Sequence, residues 1–578
     1  MKKFLTNLVA LALVMCLAFS TTACGKKIIE DIDETKTQLQ VASYSGGGGY
    51  KWLYDKETLN DAKTRFEEKY KDVSFEEGKV GVQVMVDNSK EYGGSKVSES
   101  LTTGGVDVYF APGDYYDFAE RHWLLDITDI VQAEIPNDNG KTIESKMSAE
   151  TQAKWKVEGK YYGVPYYDFV SGVTYDADLF NNNKLYFSDE LDVGDKDYPG
   201  TNAFVDAVDA TNKSCGPDGV FGTYDDGLPS TYQEFYKLME RMVSGEGGEI
   251  IIPFTYTGAY THYSNMLMSA LEANFVGADG MRTTVDFNSN GKEVEIVTGF
   301  KDNKPTTEKV VLTEDNAYLL KKSLGLYYAS EFCEKVFTNR NYYDPIASAK
   351  SGTNIDAQER FLRGGIDGGT TPPIGMIIEG SYWYNESISE GAMEKANKYG
   401  KKDVRFMPMP HQYAGTVTPR KEGEDPMSQV LITSSANAFI AADTEKPELA
   451  KLFLQFCYSD EELVKAELSN NGISRDLNYD TTSIQKDLSD YALSLNQMKA
   501  QAVEYNTLFS NMSQNPIAKK QTTYWNREQT GSYWSSTVGG SKYAAVCGPF
   551  QNRRATAQTY FLGLALSQDV YNGWRPKK

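Results

Sequence analysis

This sequence predicts an α/β fold built around more than one core, and three observations carry that prediction. The first is a set of short apolar runs at 39–44, 80–86 and 106–110 that alternate with the period of a half-buried strand. The second is a change of period after these runs. Leu59, Ala62, Phe66 and Tyr70 fall near helical spacing after the first run, as do Tyr115, Phe118 and Ala119 after the third. Strand, loop and helix in repetition is the pattern of a largely parallel sheet with helices packed against it. The third is size: 578 residues, 40% of them hydrophobic, exceed one ordinary domain and supply apolar surface for two or three. In open sheets of this kind ligands sit at the carboxyl ends of strands, which points to the loops at 44–52 and 111–116.

The remaining elements come in order. Residues 159–175 form a long β-rich run, and a polar stretch of loops runs from 181 to 229. Ser230 with Gln233 fits a capping box at the start of a helix. Residues 374–378, 404–410 and 429–441 read as strands, 446–458 as an amphipathic helix with Leu449, Leu452, Phe453 and Phe456 inward, and 555–570 as helical.

The first residues have a different character. Lys2 and Lys3 precede an apolar run at 4–19, too short to span a bilayer and followed by small residues: a secretory signal. Thr21-Thr22-Ala23-Cys24-Gly25 resembles the lipobox of bacterial lipoproteins, with Thr21 where a leucine is usual. The resemblance implies cleavage after residue 23, lipidation of Cys24, and a polar tether at 24–38 holding the body at the outer face of the membrane.

Composition narrows the function. A formal net charge of −21 disfavours nucleic acid and anionic lipid surfaces as partners. Beyond the signal and Cys24, four scattered cysteines remain (Cys215, Cys333, Cys457, Cys547), with no CxxC spacing. They make neither a zinc site nor a disulfide scaffold, and leave open one bridge or four free thiols. The chain is rich in aromatics, with 39 Tyr, 26 Phe and 7 Trp. Tyrosine and tryptophan pair an apolar face with a polar handle, which suits sugars, whose C–H faces are rimmed by hydroxyls; packing would use the same residues.

Six segments, in order, resemble the family 1 extracellular solute-binding proteins of ABC importers. They are the glycine-rich strand exit with Trp52 and Phe66-Glu67-Glu68-Lys69-Tyr70; Trp123-Leu124-Leu125-Asp126-Ile127-Thr128; Gly159-Lys160-Tyr161-Tyr162-Gly163-Val164-Pro165-Tyr166 with Tyr175-Asp176-Ala177-Asp178-Leu179-Phe180; Thr231-Tyr232-Gln233-Glu234-Phe235; 376–384; and 441–459. The third set is the most specific. Asp176 stands where the family has asparagine, and the chain carries extra length near 181–229 and 276–320. The resemblance implies a two-lobed periplasmic-binding-protein-like fold (type II) with a ligand cleft between lobes joined by crossing strands. It places 39–166 and 411–475 in an N-terminal lobe, 167–410 and 476–578 in a C-terminal lobe, and crossings at 165–170, 404–412 and 474–480. It implies hinge closure on a small solute, expected to be a mono- or oligosaccharide, and delivery to ABC permease subunits by a monomer with no cofactor and no chemistry of its own. A polyamine- or peptide-binding transport protein, a surface adhesin or sensor, and a glycan-processing enzyme are the alternatives. The last lacks any G-x-S-x-G or H-E-x-x-H signature, although the carboxylate pair it needs could arise from the many acids.

The candidate ligand contacts are Gly47 and Gly48 in the strand-exit loop, Trp52 after it, Asp114 and Tyr115 at the third strand exit, Tyr166, Tyr167 and Asp168 at the first crossing, Glu379, Tyr382 and Trp383 after the 374–378 strand, and Trp525 and Trp534 near the end. Core packing competes at Trp52, helix capping at Asp114. The Gly46–Gly49 run lacks the Lys-Ser/Thr of a P-loop. Trp383, matching a cleft aromatic of the family, is the leading candidate for stacking on a sugar ring. Residues 214–227 resemble a degraded calcium loop, with Asp218, Asp225 and Asp226 as oxygen donors but Ser214 and Gly216 in place of acids; a tight Gly/Asp turn is the favoured reading.

Overall fold

The computed structural model describes residues 31–44, 51–55, 57–89, 92, 95–113, 115–472, 475–506 and 536–575. Nine strands form one sheet: β1 (Thr37–Tyr44), β2 (Val82–Ser89), β3 (Val108–Ala111), β4 (Gly163–Asp176), β5 (Ile252–Thr255), β6 (Ile374–Gly380), β7 (Val404–Met407), β8 (Val430–Ile440) and β9 (Val503–Asn506). Their order is β2-β1-β3-β8-β4-β6-β5, with β7 also paired to β4 and β9 to β8. Parallel pairing holds for β1 with β2 and β3, β5 with β6, and β8 with β9. The centre is antiparallel, because β4 and β8 run past one another in opposite senses from Gly163↔Phe439 to Ser171↔Ile432. The sheet is therefore mixed, where the sequence pattern alone suggests a largely parallel one.

The two long strands join two cores. β4 gives Val164, Tyr166 and Tyr167 to a first core with β1, β2 and β3, and Val173 and Tyr175 to a second built on β5 and β6. Nearly every residue of β4 is buried, as expected of a strand covered on both faces, so it lacks the alternation of a half-exposed one. β8 gives Ala436, Ala438, Phe439 and Ile440 to the first core, while Val430 and Ile432 pack at its other end with Ala273, Met281 and Phe287. The second strand to pass between cores is thus Val430–Ile440. The stretch expected to do so, 404–412, instead pairs through β7 with the far half of β4 and packs Met407 and Met409 into the second core.

Helices cover both cores. α1 (Ala62–Lys69) starts at Asp61, whose carboxylate accepts from Thr64 N at 2.7 Å, and sets Phe66 against Phe453 with centroids 4.9 Å apart. α2 (Tyr232–Ser244) is capped by Thr231, one residue later than the capping box read from the sequence: the Thr231 hydroxyl accepts from Glu234 N, and the Glu234 carboxylate accepts from Ser230 N at 2.8 Å. Ser230 thus contributes its backbone and Thr231 the side chain. α3 (Ser264–Asp286) is kinked at Gly277 (φ 72°, ψ 175°), a conformation open to glycine. Against α3 lies a hairpin of Glu293–Lys301 and Lys304–Val311, turned by Asp302 and Asn303 at positive φ. The C-terminal helical stretch is two helices, Ala557–Leu564 and Gln568–Trp574.

All four described cysteines are free and buried. Among the described residues no helix is long and apolar enough to cross a membrane.

Candidate ligand site between the two cores

The place where side chains of both cores meet is at the crossing of β4, beside the carboxyl end of β1. Tyr167 and Phe169 project from β4 with ring centroids 4.4 Å apart, and Tyr382, just after β6, sets its ring edge-on to Phe169 at 4.9 Å. Tyr382 and Phe169 pack against the first core, although β6 belongs to the second. The Tyr382 hydroxyl donates to the hydroxyl of Tyr263, just before α3, at 2.9 Å. Tyr44 ends β1 and lies close enough to Tyr167 and Tyr263 to perturb their ionisation. Tyr260 and His262 extend the cluster outward, and Tyr260 is 47% exposed.

Two polar groups in this region are buried without hydrogen-bond partners: the Tyr167 hydroxyl and both oxygens of Glu379. Burial, with Glu386 nearby, pushes the Glu379 carboxyl well above the usual range. Glu386 is occupied by Asn354 and Gln358 at 2.7 and 2.8 Å. Asp168 is buried at the crossing among Lys154, Lys499, Glu504 and Asp476, and burial pushes its pKa up to about 6.

The other predicted contacts fall elsewhere. Trp52 is a core residue: its indole donates to Glu462 at 3.1 Å and the Arg475 guanidinium covers its ring at 4.5 Å. Tyr115 is buried too, donating to Trp155 O at 2.7 Å and accepting from Tyr162 N at 3.1 Å. Tyr166 packs between Trp52, Phe110 and Tyr167. Trp383 offers no open face for stacking: it is fully buried, its ring enclosed by Phe361, Tyr384 and Tyr491 and its Nε1–H donating to Thr174 Oγ1 at 2.9 Å. Its neighbour Tyr382 takes the position between the cores. Gly47, Gly48, Asp114, Trp525, Trp534 and the lipidation candidate Cys24 lie outside the described residues. Tyr44, Phe169 and Tyr263 are members of the aromatic cluster that sequence reasoning misses. Tyr44 carries a usable signal, as the last residue of a strand running into the glycine loop; nothing in the sequence singles out Tyr263. Asn437 of β8 is a further such residue, with its amide on Gly113 O at 3.3 Å and its own oxygen unpartnered.

The sequence profile of the bacterial extracellular solute-binding proteins matches residues 56–463. This chain belongs to that family. It is therefore an extracellular solute-binding protein, a transport component rather than an enzyme, and the α/β two-core architecture is the family's fold. Among solved structures it resembles a chitin oligosaccharide binding protein (12% identity, 93% of this chain and 98% of that one, TM-score 0.52). It also resembles the apo-form of RafE from Streptococcus pneumoniae (14%, 94% and 100%, TM-score 0.50). A third likeness is to a protein from a study of xylan utilization by Caldanaerobius polysaccharolyticus (12%, 91% and 99%, TM-score 0.50). No match was found among curated protein sequences. At these identities the structural likeness speaks for the fold.

Proposed function

We propose that this solute-binding protein captures a neutral carbohydrate between its two lobes and hands it to an ABC permease at the outer membrane face, where lipidated Cys24 would hold it. The observation that carries the reading is the tyrosine-rich contact between cores: Tyr44, Phe169, Tyr263 and Tyr382, packed around the buried Tyr167, supply ring faces and hydroxyls together, the two features a sugar ring requires. One structural relative is named for a chitin oligosaccharide and another comes from work on xylan utilization, which agrees with this reading.

The test is a thermal-shift screen of the chain lacking its first 25 residues, against sugars, polyols, amino acids, peptides and polyamines. A ligand that binds only the folded state raises the melting temperature. One sugar class is expected to do so, and Tyr382→Ala to weaken its binding by about tenfold or more, the worth of one good aromatic contact. A shift by polyamines or peptides with none by sugars would leave the family intact and overturn the carbohydrate assignment.

A further inference from the structure

Residues 214–225 take no part in the aromatic contact and carry a second set of unused oxygens. Counted as a twelve-residue calcium loop, they place Ser214 at position 1, Asp218 at 5, Gly219 at 6, Val220 at 7 and Asp225 at 12. Those are positions where such a loop takes a side-chain oxygen, a side-chain oxygen, an obligatory glycine, a backbone carbonyl and a carboxylate. The structure agrees with the count. Gly219 has φ 80°, the left-handed turn that position 6 requires. Asp218 and Asp225 are both fully buried, and they are near neighbours: Asp225 Oδ2 accepts from Asp218 N at 2.8 Å.

What points to a ligand is a pair of side-chain oxygens with nothing to bond. The Ser214 hydroxyl, on a residue 5% exposed, and Asp218 Oδ2, on a residue 0% exposed, have no hydrogen-bond partner. A buried polar atom left unpaired is costly, and here two lie in one turn. Gly227 N donates to Ser214 O at 2.9 Å, which folds the start of the loop back on its end. Gly216 packs so tightly on Asp225 that a Cβ there would lie 2.3 Å from Asp225 O. The turn is also roofed from outside: Arg420 N donates to Gly219 O and Met427 N to Asp218 O, each at 2.8 Å.

We propose that residues 214–225 bind a calcium ion through the Ser214 hydroxyl, the Asp218 and Asp225 carboxylates and the Val220 carbonyl, with water completing the shell. The donors are all oxygen, which suits a hard cation. An all-oxygen donor set with no His or Cys disfavours a transition metal. It leaves calcium, which takes backbone and hydroxyl oxygens in irregular geometry, ahead of magnesium, which demands an octahedron. Two carboxylates make the site weak, in the range of about 10⁻⁴–10⁻³ M found for extracellular modules. The bound ion would pin the loop excursion before α2 to the 417–427 segment.

The experiment uses the purified chain freed of metal with a chelator. Tyr224 lies inside the loop, so terbium bound there should luminesce on tyrosine excitation, and calcium should displace it. Calcium at about ten times the expected dissociation constant should raise the melting temperature by about 1 °C, and equal magnesium much less. Asp225→Asn should abolish both signals, and Ser214→Ala, which removes only a hydroxyl, should weaken calcium binding by about threefold to tenfold. If chelated wild type shows neither terbium emission nor a calcium shift, the site does not exist. If Asp225→Asn and Ser214→Ala both fold and respond like wild type, the ion sits elsewhere. Should Asp225→Asn fail to fold, the Ser214→Ala affinity decides.

Discussion

The indole of Trp383 is held by three rings and one hydrogen bond, while Tyr382, one position earlier, reaches Phe169 and Tyr263 across the gap between cores. Their effects on substitution should therefore separate. Trp383→Ala removes a fully buried ring and one hydrogen bond to the Thr174 hydroxyl, which should cost about 3–5 kcal/mol of stability. Ligand affinity per folded molecule should change little. Urea melts read the first quantity, and calorimetry on the folded fraction the second. A Trp383→Ala protein of wild-type stability that no longer binds would reverse the assignment. Adjacent aromatics after a strand end look alike in sequence. Which of them turns inward depends on where the next helix starts, at Trp383, and boundaries of one residue lie below what spacing resolves. The same limit separates Ser230 from Thr231 as the cap of α2.

At the scale of elements, α3 is clamped to the crossing strand β8. The Asn274 side chain accepts from Val430 N at 2.9 Å and donates to Val430 O at 3.1 Å, replacing a strand partner at the end of β8. Its backbone oxygen faces His411 Nδ1 at 3.3 Å, and His411 Nε2 faces Gln429 Nε2 at 3.0 Å. Since the glutamine amide nitrogen can only donate, His411 Nε2 must be the acceptor and the proton must sit on Nδ1. A second proton would turn Nε2 into a donor facing a donor. Burial likewise lowers the His411 pKa from 6.5 to about 4. With the folded value depressed, the unfolded state takes up a proton first. The contribution is complete above about pH 6.5 and is lost as pH falls toward 4, about 3 kcal/mol in all. Denaturant melts between pH 7 and 4 should show this loss in wild type and not in His411→Gln; parallel curves would remove His411 from the account. None of this clamp is legible in the sequence, because it joins positions 274, 411 and 430. The segment 429–441 is legible as a strand. Its role as the second crossing is not, since only its pairing with both β3 and β4 reveals it.

At the scale of the whole molecule, the architecture is readable from six ordered motifs because each marks a fixed part of the fold: a strand exit, a helix start, a crossing. The ligand is not, because the side chains meeting between the cores come from segments far apart in the chain, and relatives at 12–14% identity share the fold without fixing the site. Polar contacts link the two sides as well, one buried and one exposed. Asn385 Nδ2 donates to Asn470 O, and Arg282 meets Glu150 at 3.6 Å with both side chains largely exposed. An exposed pair of that kind is worth little, about 0–1 kcal/mol, so the two halves are held mainly by the buried strands β4 and β8 and by the aromatic contact around Tyr382. If hinge closure is how this chain traps its solute, saturating ligand should lower the radius of gyration in small-angle scattering. Asn385→Ala, which removes a closing contact without touching the tyrosines, should speed ligand release more than it slows capture. An unchanged radius of gyration at saturation, together with an unaltered release rate in Asn385→Ala, would mean that the solute enters a cleft already formed and that the two halves act as one rigid body.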